Sequence, residues 1–250
     1  RRAALVRCAE ALEARARELA PLLVQEQGKP LQRAVEEFYG AALWFRSTAA
    51  LPLEDEVLKE TPEQRVELRR RPLGVVAGIT PWNFPVLLAV WKIAPALLAG
   101  NTFVLKPSPY TPLSSLKLGE VLRDVLPAGV FNVVSGGDAL GAWLTEHPAV
   151  RKISFTGSVA TGKRIAAAAA PDLKRVTLEL GGNDPAIVLK DANAKQIAEK
   201  LFWSAFNNTG QVCVAVKRLY VEEELYPELV GELAEIAKRV KVGPGTQTES

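Results

Sequence analysis

The residue of this chain best suited to chemistry is a cysteine in a loop segment. Cys213 ends the segment Phe-Asn-Asn-Thr-Gly-Gln-Val-Cys (206–213), which follows an apolar run. A thiol on a loop that a rigid scaffold positions can act as a nucleophile if a neighbouring group lowers its pKa or takes its proton. A lone cysteine is, however, more often a small buried apolar residue. The segment around Cys213 leaves both interpretations open.

A carboxylate in an apolar setting gives that cysteine a candidate partner. Glu179 interrupts the strand-like segment Val-Thr-Leu-Glu-Leu-Gly-Gly (176–182). Ionised side chains are rarely left in apolar surroundings without a partner or a function. The position of Glu179 therefore favours the interpretation of Cys213 as a nucleophile. The other cysteine, Cys8, lies on the apolar stripe of a predicted helix, and we expect it to pack in a core.

Two polar side chains further upstream are also candidates. Asn83 lies between an aromatic pair that is flanked by Pro81 and Pro85, which restrict the backbone on both sides. A held amide N–H₂ can stabilise a developing oxyanion, although the same amide can simply cap its own loop. Lys106 ends an apolar strand and precedes a proline, where it either reaches a ribose hydroxyl or phosphate or extends into solvent.

A glycine-rich turn provides a candidate phosphate site. The segment Gly-Ser-Val-Ala-Thr-Gly-Lys (157–163) fits the first seven positions of a P-loop, but Arg164 replaces the Ser or Thr that would bind Mg²⁺. A glycine turn that opens a helix still offers free N–H groups and a positive dipole end to a phosphate. A turn with no ligand is the alternative, and the dinucleotide fingerprint G-x-G-x-x-G is absent from this turn.

The composition is that of a soluble globular protein with one large domain or two smaller ones. The chain has 250 residues, of which 48% are hydrophobic and 24% charged, and its net charge is +3. Its basic residues are spread out, so we expect no nucleic-acid partner. Lys92 and Pro95 interrupt the best apolar stretch, over 86–98, so we expect no membrane span. The only histidine, His147, excludes a His-rich metal site, and no metal is predicted.

Cysteine usage and the chain ends suggest where the protein works and how complete it is. Two cysteines far apart in sequence form no disulfide framework, which favours a reducing compartment and predicts a cytoplasmic protein. The chain contains no methionine, and residues 243–250 have the composition of a loop. We therefore expect an internal fragment of a longer protein.

Hydrophobic periodicity predicts an α/β fold. Two helices are expected first, the second over 31–49, followed by a connecting segment over 51–64 and an exposed strand over 66–69. Short β-rich runs then alternate with helical runs, which predicts a parallel sheet flanked by helices. The predicted strands cover 74–79, 102–105, 131–134, 152–155 and 176–180, and the helices between them cover 86–98, 113–125, 139–146 and 159–170. A further unit has predicted strands over 186–189 and 218–221 and helices over 194–206 and 225–240.

The most unusual sequences follow the ends of the predicted strands. These are Thr-Pro-Trp-Asn-Phe-Pro (80–85), Lys-Pro-Ser-Pro (106–109), Ser-Gly-Gly (135–137) and Thr-Gly-Ser (156–158). In open parallel sheets, ligands bind beyond the carboxyl ends of the strands. The coincidence predicts a cofactor site at one edge of the sheet.

Five ordered motifs give the chain a specific resemblance. They are Pro-Trp-Asn-Phe-Pro (81–85), Lys-Pro-Ser (106–108), Phe-Thr-Gly-Ser (155–158), Leu-Glu-Leu-Gly-Gly (178–182) and Gly-Gln-Val-Cys (210–213). Together they resemble the NAD(P)-dependent aldehyde dehydrogenase superfamily over essentially the whole chain. The resemblance implies a Rossmann-like dinucleotide-binding domain over 1–180, with an oligomerisation strand near 65–72, and the truncated start of an α/β catalytic domain over 181–250.

The resemblance also implies roles for individual residues. Cys213 matches the catalytic nucleophile, Glu179 the general base and Asn83 the oxyanion-binding amide. Lys106 matches the ligand of the adenosine ribose. The other residues matched to the cofactor site are Ser158 and Trp82 at the pyrophosphate, Gly136 near the adenine, and Gly157, Ser108, Pro109, Thr80 and Leu180.

Three departures from the family pattern bear on these expectations. Asn183 stands where the family often has a lysine after the double glycine, with no evident loss to the mechanism. Pro109 stands where a glutamate often follows the ribose lysine, so the expected cofactor is either NAD or NADP. The chain also ends before the family's segment that holds the nicotinamide ribose, so we expect these residues alone to be inactive.

The implied function is oxidation of a small-molecule aldehyde to a carboxylic acid with NAD(P)⁺, through a thiohemiacetal and a thioester on Cys213. The full-length protein is expected to be a homo-oligomer, either a dimer or a tetramer. Transfer of the thioester to coenzyme A is an alternative within the superfamily. Two alternatives belong to other classes. One is a non-catalytic dinucleotide-binding protein. The other is a nucleotide-triphosphate-binding protein that uses the incomplete P-loop at 157–163, which we call the near-P-loop.

Overall fold

The computed structural model describes residues 1–247, which form an α/β fold. Its helices are α1 (Arg2–Gln27), α2 (Leu31–Ala50), α3 (Pro85–Leu98), α4 (Leu113–Arg123), α5 (Asp138–Glu146), α6 (Val159–Ala169), α7 (Ala194–Phe206) and α8 (Tyr226–Arg239). Its strands are β1 (Glu56–Thr61), β2 (Gln64–Leu68), β3 (Val75–Ile79), β4 (Thr102–Lys106), β5 (Phe131–Val133), β6 (Val150–Thr156), β7 (Arg175–Glu179), β8 (Asp184–Val188) and β9 (Val216–Val221). Among these described residues, none of the helices is both long and apolar enough to cross a bilayer.

Five parallel strands form the central sheet in the order β5-β4-β3-β6-β7. The chain enters the sheet at β3, extends to one side through β4 and β5, and then returns to add β6 and β7 on the other side. Ile79 pairs with Lys106 and with Phe155, and Thr156 pairs with Glu179, so these strand ends lie at one edge. The reversal of direction beside β3 creates a topological switch point, where open α/β sheets bind ligands.

Helices cover both faces of the sheet. On one face, α3 and α4 pack under α1 and α2 in a core that contains Phe38, Phe45 and Phe103. On the other face, α5 and α6 cover a second core that contains Ile153 and Phe155. Because the sheet is held between two packed layers, the loops at its carboxyl edge start from rigid positions.

A second unit begins after β7. Strands β8 and β9 pair in parallel, and α7 and α8 pack with them around a separate core that includes Val188, Phe202 and Leu229. This unit begins close to the predicted boundary between 180 and 181. Its assignment to a catalytic domain over 181–250 stays a prediction, and residues 248–250 of that range and of the predicted loop over 243–250 lie outside the described residues.

The prediction of a connecting segment over 51–64 was wrong. That segment contains β1, which forms an antiparallel hairpin with β2. Every residue of β1 is exposed, so no alternation of apolar and polar residues marks it as a strand, and Pro52 and Pro62 favoured a loop interpretation. The exposed strand predicted over 66–69 is present as β2, and the predicted oligomerisation strand near 65–72 overlaps it.

Candidate active site

A cavity of about 520 Å³ opens at the carboxyl edge of the sheet, at the switch point. The ends of β3, β4 and β6 and the loops after them form much of its wall. The residues of the predicted cofactor site that line it are Thr80, Trp82, Lys106, Ser108, Pro109, Gly157 and Ser158. Parallel register explains this convergence, because strands that run in the same direction end at the same edge.

The polar groups of this cavity suit a polar ligand. Lys106 is only 3% exposed, and its Nζ donates to the carbonyl oxygen of Pro107 at 3.1 Å. Burial lowers the pKa of Lys106, whereas the carboxylate of Asp138 acts to raise it. The buried hydroxyl of Thr80 has no hydrogen-bond partner within residues 1–247. Buried polar groups nearly always have partners, so an orphaned hydroxyl in this wall fits a site that a ligand completes.

Helix α6 presents its N-terminus and one face to the cavity. Ser158 caps the helix, and its Oγ accepts a hydrogen bond from the backbone N–H of Thr161 at 3.2 Å. The other free N–H groups of the first turn and the helix dipole favour an anionic group at this end. Arg164 also lines the cavity, and sequence analysis missed it as a site residue. Its spacing of three and six residues from Thr161 and Ser158 on a helix was the signal that could have found it.

The near-P-loop has its cation in the wrong place for a nucleotide triphosphatase. Lys163, which would correspond to the phosphate-binding lysine, is exposed and is not part of the cavity wall in the described structure. Arg164 takes the position in the wall instead. The arrangement therefore disfavours the triphosphate-binding alternative.

Two residues of the predicted cofactor site lie outside the cavity wall as described. Gly136 approaches Leu140 on α5, and a Cβ added to that glycine would lie 2.7 Å from the leucine Cδ2. Leu180 packs against Gly162 on α6, where an added Cβ would lie 2.6 Å from its Cδ2. These distances show that α5 packs closely at Gly136 and that α6 packs closely at Leu180. The cofactor-binding roles of Gly136 and Leu180 stay predictions.

Three loops that are distant in sequence meet in what we call the loop junction, formed by Asn83, Gly182, Gln211 and Cys213. Asn83 Nδ2 donates to the carbonyl oxygen of Gln211 at 2.8 Å, and Asn83 Oδ1 accepts from the N–H of Phe84 at 3.1 Å. A Cβ added to Gly182 would lie 2.3 Å from the carbonyl oxygen of Cys213. Only glycine therefore allows the segment after Glu179 to approach the cysteine this closely.

The backbone before Cys213 has an unusual conformation. Asn208, Thr209 and Gly210 have φ angles of 50°, 55° and 76°, all in the left-handed region. Glycine and asparagine tolerate this region, but for a β-branched threonine the cost is about 1–3 kcal/mol. Backbone strain of this kind is concentrated at functional sites, where the surrounding structure maintains it.

The turn at Cys213 also carries a positive charge. Lys217 Nζ donates to the carbonyl oxygens of Val212 and Cys213 at 2.9 Å and 3.2 Å. Cys213 is half-buried. In contrast, Cys8 is fully buried on α1, and burial raises its pKa to about 12. The predicted core position of Cys8 agrees with this placement, and of the two thiols only Cys213 is accessible.

Glu179 ends β7, and its side chain is exposed at the carboxyl edge of the sheet. Its backbone pairs with Thr156, and its carbonyl oxygen accepts the N–H of Gly157 at 3.0 Å. The strand end that bears the carboxylate therefore borders the cavity wall. Three residues further on, the chain reaches the carbonyl of Cys213 at Gly182.

Lys92 is a charged residue at this edge that sequence analysis treated only as an interruption of an apolar run. It lies on α3, and its Nζ donates to the hydroxyl of Thr156 at 2.6 Å. Burial lowers the pKa of Lys92 to about 8, an effect that the negative charge of Glu179 opposes and the positive charge of Lys152 increases. A lysine inside an apolar helix was the available signal, just as a carboxylate inside an apolar strand marked Glu179.

Comparison with known proteins decides the family. The profile of the aldehyde dehydrogenase family matches residues 1–250. The chain belongs to this family. Both the resemblance and the α/β fold class expected from the sequence are thereby confirmed.

Several aldehyde dehydrogenases are similar over almost the whole chain. A probable aldehyde dehydrogenase from Pseudomonas sp is 45% identical over 236 residues, which cover 94% of this chain and 48% of that protein. The succinate-semialdehyde dehydrogenase [NADP(+)] GabD of Escherichia coli (strain K12) is 43% identical over 233 residues, which cover 91% of this chain and 48% of that protein. The crystal structure of PnpE in complex with nicotinamide adenine dinucleotide has a TM-score of 0.96 at 38% identity, and the match covers 100% of this chain and 52% of that one. The chain thus spans about half the length of the curated relatives it matches.

Proposed function

We propose that a full-length protein containing this chain oxidises an aldehyde to a carboxylic acid with NAD(P)⁺ through a covalent intermediate on Cys213. The observation that carries the proposal is the loop junction. There the side-chain amide of Asn83 donates to the carbonyl oxygen of Gln211, two residues before Cys213. A thiol and an amide donor beside a cavity at a switch point are the components of acyl transfer to a cysteine. The glutamate at the end of β7 supplies the base that such chemistry needs for hydrolysis.

The reaction begins at the thiol of Cys213. Its thiolate attacks the aldehyde carbon, a C–S bond forms, and the π electrons of the carbonyl move to oxygen. Asn83 Nδ2 has two hydrogens, and the bond to Gln211 uses one of them. The second hydrogen and the backbone N–H of Cys213 are the donors that we assign to the oxyanion.

Collapse of this oxyanion oxidises the bound carbon by two electrons. A bound NAD(P)⁺ would supply the two-electron oxidant for this step, as the acceptor of the hydride that leaves this carbon. The product on the protein is a thioester of Cys213. Glu179 then takes a proton from water, the water attacks the thioester, and the thiolate of Cys213 leaves as the carboxylic acid is released.

The cavity supplies the groups that would hold the cofactor. Lys106 is the proposed ligand of the adenosine ribose, and Ser158 with the N-terminus of α6 is the proposed site of the pyrophosphate. Trp82 and Thr80 complete the wall on the β3 side. The orphaned hydroxyl of Thr80 supports the fit. Either NAD⁺ or NADP⁺ is the proposed cofactor, since one relative is named for NADP(+) and the PnpE structure contains nicotinamide adenine dinucleotide.

The order of the chemical steps provides the test, because only the release of the acid requires Glu179. In a full-length protein, rapid mixing of Glu179→Gln with aldehyde and NAD(P)⁺ should give one equivalent of NAD(P)H followed by a stall. The matched control is Glu120→Gln, which changes an exposed carboxylate on α4 and should keep steady turnover. Steady turnover by Glu179→Gln would remove this residue from the mechanism. Relief of the stall by added coenzyme A would instead favour the acyl-transfer alternative.

We also propose how the full-length protein assembles and where it is located. We place it in the cytoplasm as a homo-oligomer, a dimer or a tetramer, without a nucleic-acid or membrane partner. The support is the exposed hairpin of β1 and β2, which leaves strand edges free for pairing among the described residues. Sedimentation analysis of the full-length protein tests the oligomer, and a monomer at micromolar concentration would contradict it.

A further inference from the structure

A buried ion pair lies immediately behind the loop junction. Lys29 follows Gly28 in the turn between α1 and α2, and its side chain is 2% exposed. Its Nζ contacts the carboxylate of Glu37, whose side chain is 1% exposed. Nζ also donates to the backbone carbonyl oxygen of Asn83 at 2.9 Å and lies 4.1 Å from the centre of the Phe84 ring. The ammonium is thus the buried group that directly holds the peptide of the proposed oxyanion-binding residue.

The partner carboxylate holds the other side of the same loop. Glu37 Oε1 accepts hydrogen bonds from the N–H groups of Val86 and Leu87 at 2.9 Å and 3.2 Å. These two residues belong to the first turn of α3, which begins at Pro85, directly after Phe84. Removing two charges from water is costly, and it is tolerated when further hydrogen bonds satisfy both groups, as they do for Lys29 and Glu37.

The turn that carries Lys29 also reaches the cysteine loop. Gln27 Nε2 donates to Asn208 Oδ1 at 3.2 Å, and Gln27 Oε1 accepts the N–H of Lys29 at 3.0 Å. Asn208 Nδ2 lies 3.5 Å from the same carbonyl oxygen of Asn83 that Lys29 contacts. The backbone of Asn83 is therefore held between the α1–α2 turn and the loop that leads to Cys213.

We propose that Lys29, with its charge balanced by Glu37, is a positioning residue that sets the side-chain amide of Asn83 against the Cys213 loop. Lys29 itself contacts no reacting atom, and it acts through the peptide and ring that follow it. The inference rests on the proposed function, in which Asn83 binds the oxyanion. A donor displaced by about 1 Å in such a site can cost about 100-fold in rate, so loss of the anchor should be visible in the chemical step.

The test uses Lys29→Met/Glu37→Gln in a full-length protein, with and without Asn83→Ala. The paired substitution removes both charges at similar volume, and the glutamine that replaces Glu37 keeps an oxygen for the N–H groups of α3, so no unpaired buried charge is left. Single Lys29→Met is measured beside it. We expect the paired substitution to lower the rate of the NAD(P)H burst about 10- to 100-fold while the KM for the cofactor changes less than about threefold.

The decisive comparison is the loss in the Asn83→Ala background. If Lys29 acts through Asn83, the paired substitution should lower the burst rate of Asn83→Ala by less than about twofold. The reason is that the side-chain amide that Lys29 positions is already absent from this variant. Arg46→Met serves as the control, since it breaks a different ion pair, between Arg46 of α2 and Glu13 of α1, that makes no contact with Asn83. This control should leave the burst unchanged in both backgrounds.

Equal fold losses in the two backgrounds would overturn the inference and leave the proposed function intact. An unchanged burst in the folded paired variant would do the same. In contrast, a wild-type protein that oxidises no aldehyde would overturn the proposed function itself, and an Asn83→Ala protein with normal rates would remove both the oxyanion role and the inference.

Discussion

The cofactor cavity and the loop junction lie next to each other but are built in different ways. Much of the cavity wall is formed by the ends of neighbouring parallel strands, and Lys106 and Thr80 reach it because these strands share one edge. The loop junction is formed by segments that no strand register relates, and it depends on individual bonds such as Asn83 to Gln211 at 2.8 Å. We therefore expect the loss of one side chain to disturb the loop junction more than the cavity wall.

The largest expected effect separates chemistry from binding. In a full-length protein, Cys213→Ala should lower aldehyde oxidation at least about 1000-fold, because no other described thiol is accessible, while the affinity for the cofactor stays within about twofold. Lys106→Ala should instead weaken cofactor binding, so that the cofactor KM rises about tenfold with little change in kcat. Steady-state kinetics and cofactor titration measure both. Retained turnover in Cys213→Ala would show that Cys213 is not the nucleophile, and it would remove the proposed contrast between the loop junction and the cavity.

A second prediction compares the two thiols directly. Burial raises the pKa of Cys8 to about 12, so at neutral pH its thiolate is almost absent, whereas Cys213 is half-buried. A thiol-selective reagent at pH 7 should label Cys213 at least about 100-fold faster than Cys8. Mass spectrometry of the labelled peptides gives both rates, and Cys8→Ala should leave the fast phase unchanged. Comparable labelling rates for the two cysteines would show that the reagent reaches Cys213 no more readily than it reaches Cys8.

The smallest expected effect concerns the choice between NAD⁺ and NADP⁺ in the cavity. Pro109 and Lys106 line the same wall, and Arg164 adds a second positive charge. A carboxylate at position 109 would accept hydrogen bonds from ribose hydroxyls and repel a 2′-phosphate. Pro109→Glu should therefore shift the ratio of kcat/KM toward NAD⁺ about tenfold, which corresponds to about 1.4 kcal/mol.

The charge is the proposed cause of that shift, so Pro109→Gln is the matched control. It adds a similar side chain without the charge and should change the ratio much less than the glutamate does. An equal shift in both variants would assign the effect to loss of the proline. A wild-type protein that strongly rejects NADP⁺ would show that another group in the wall already excludes the phosphate.

Some features of the fold were predictable because they depend on local sequence. Buried parallel strands are continuous apolar runs bounded by Gly, Pro and Asn, and for this reason β3, β4 and β6 were predicted close to their observed bounds. The motifs after these strands had to lie at one edge, which predicted the wall formed by Lys106 and Ser158. In contrast, β1 was missed because its whole length is exposed and no burial pattern marks it.

By itself, the sequence determined the order of the elements, the edge at which Lys106, Glu179 and Ser158 are placed, and the family to which the chain belongs. The tertiary structure decided which distant residues meet. Lys29 contacts Asn83 across 54 residues, and Gln27 contacts Asn208 across 181 residues. Periodicity and turn chemistry act over a few residues, so they predict elements and their ends. Contacts between segments depend on how helices and loops pack in three dimensions, and no local pattern contains that information.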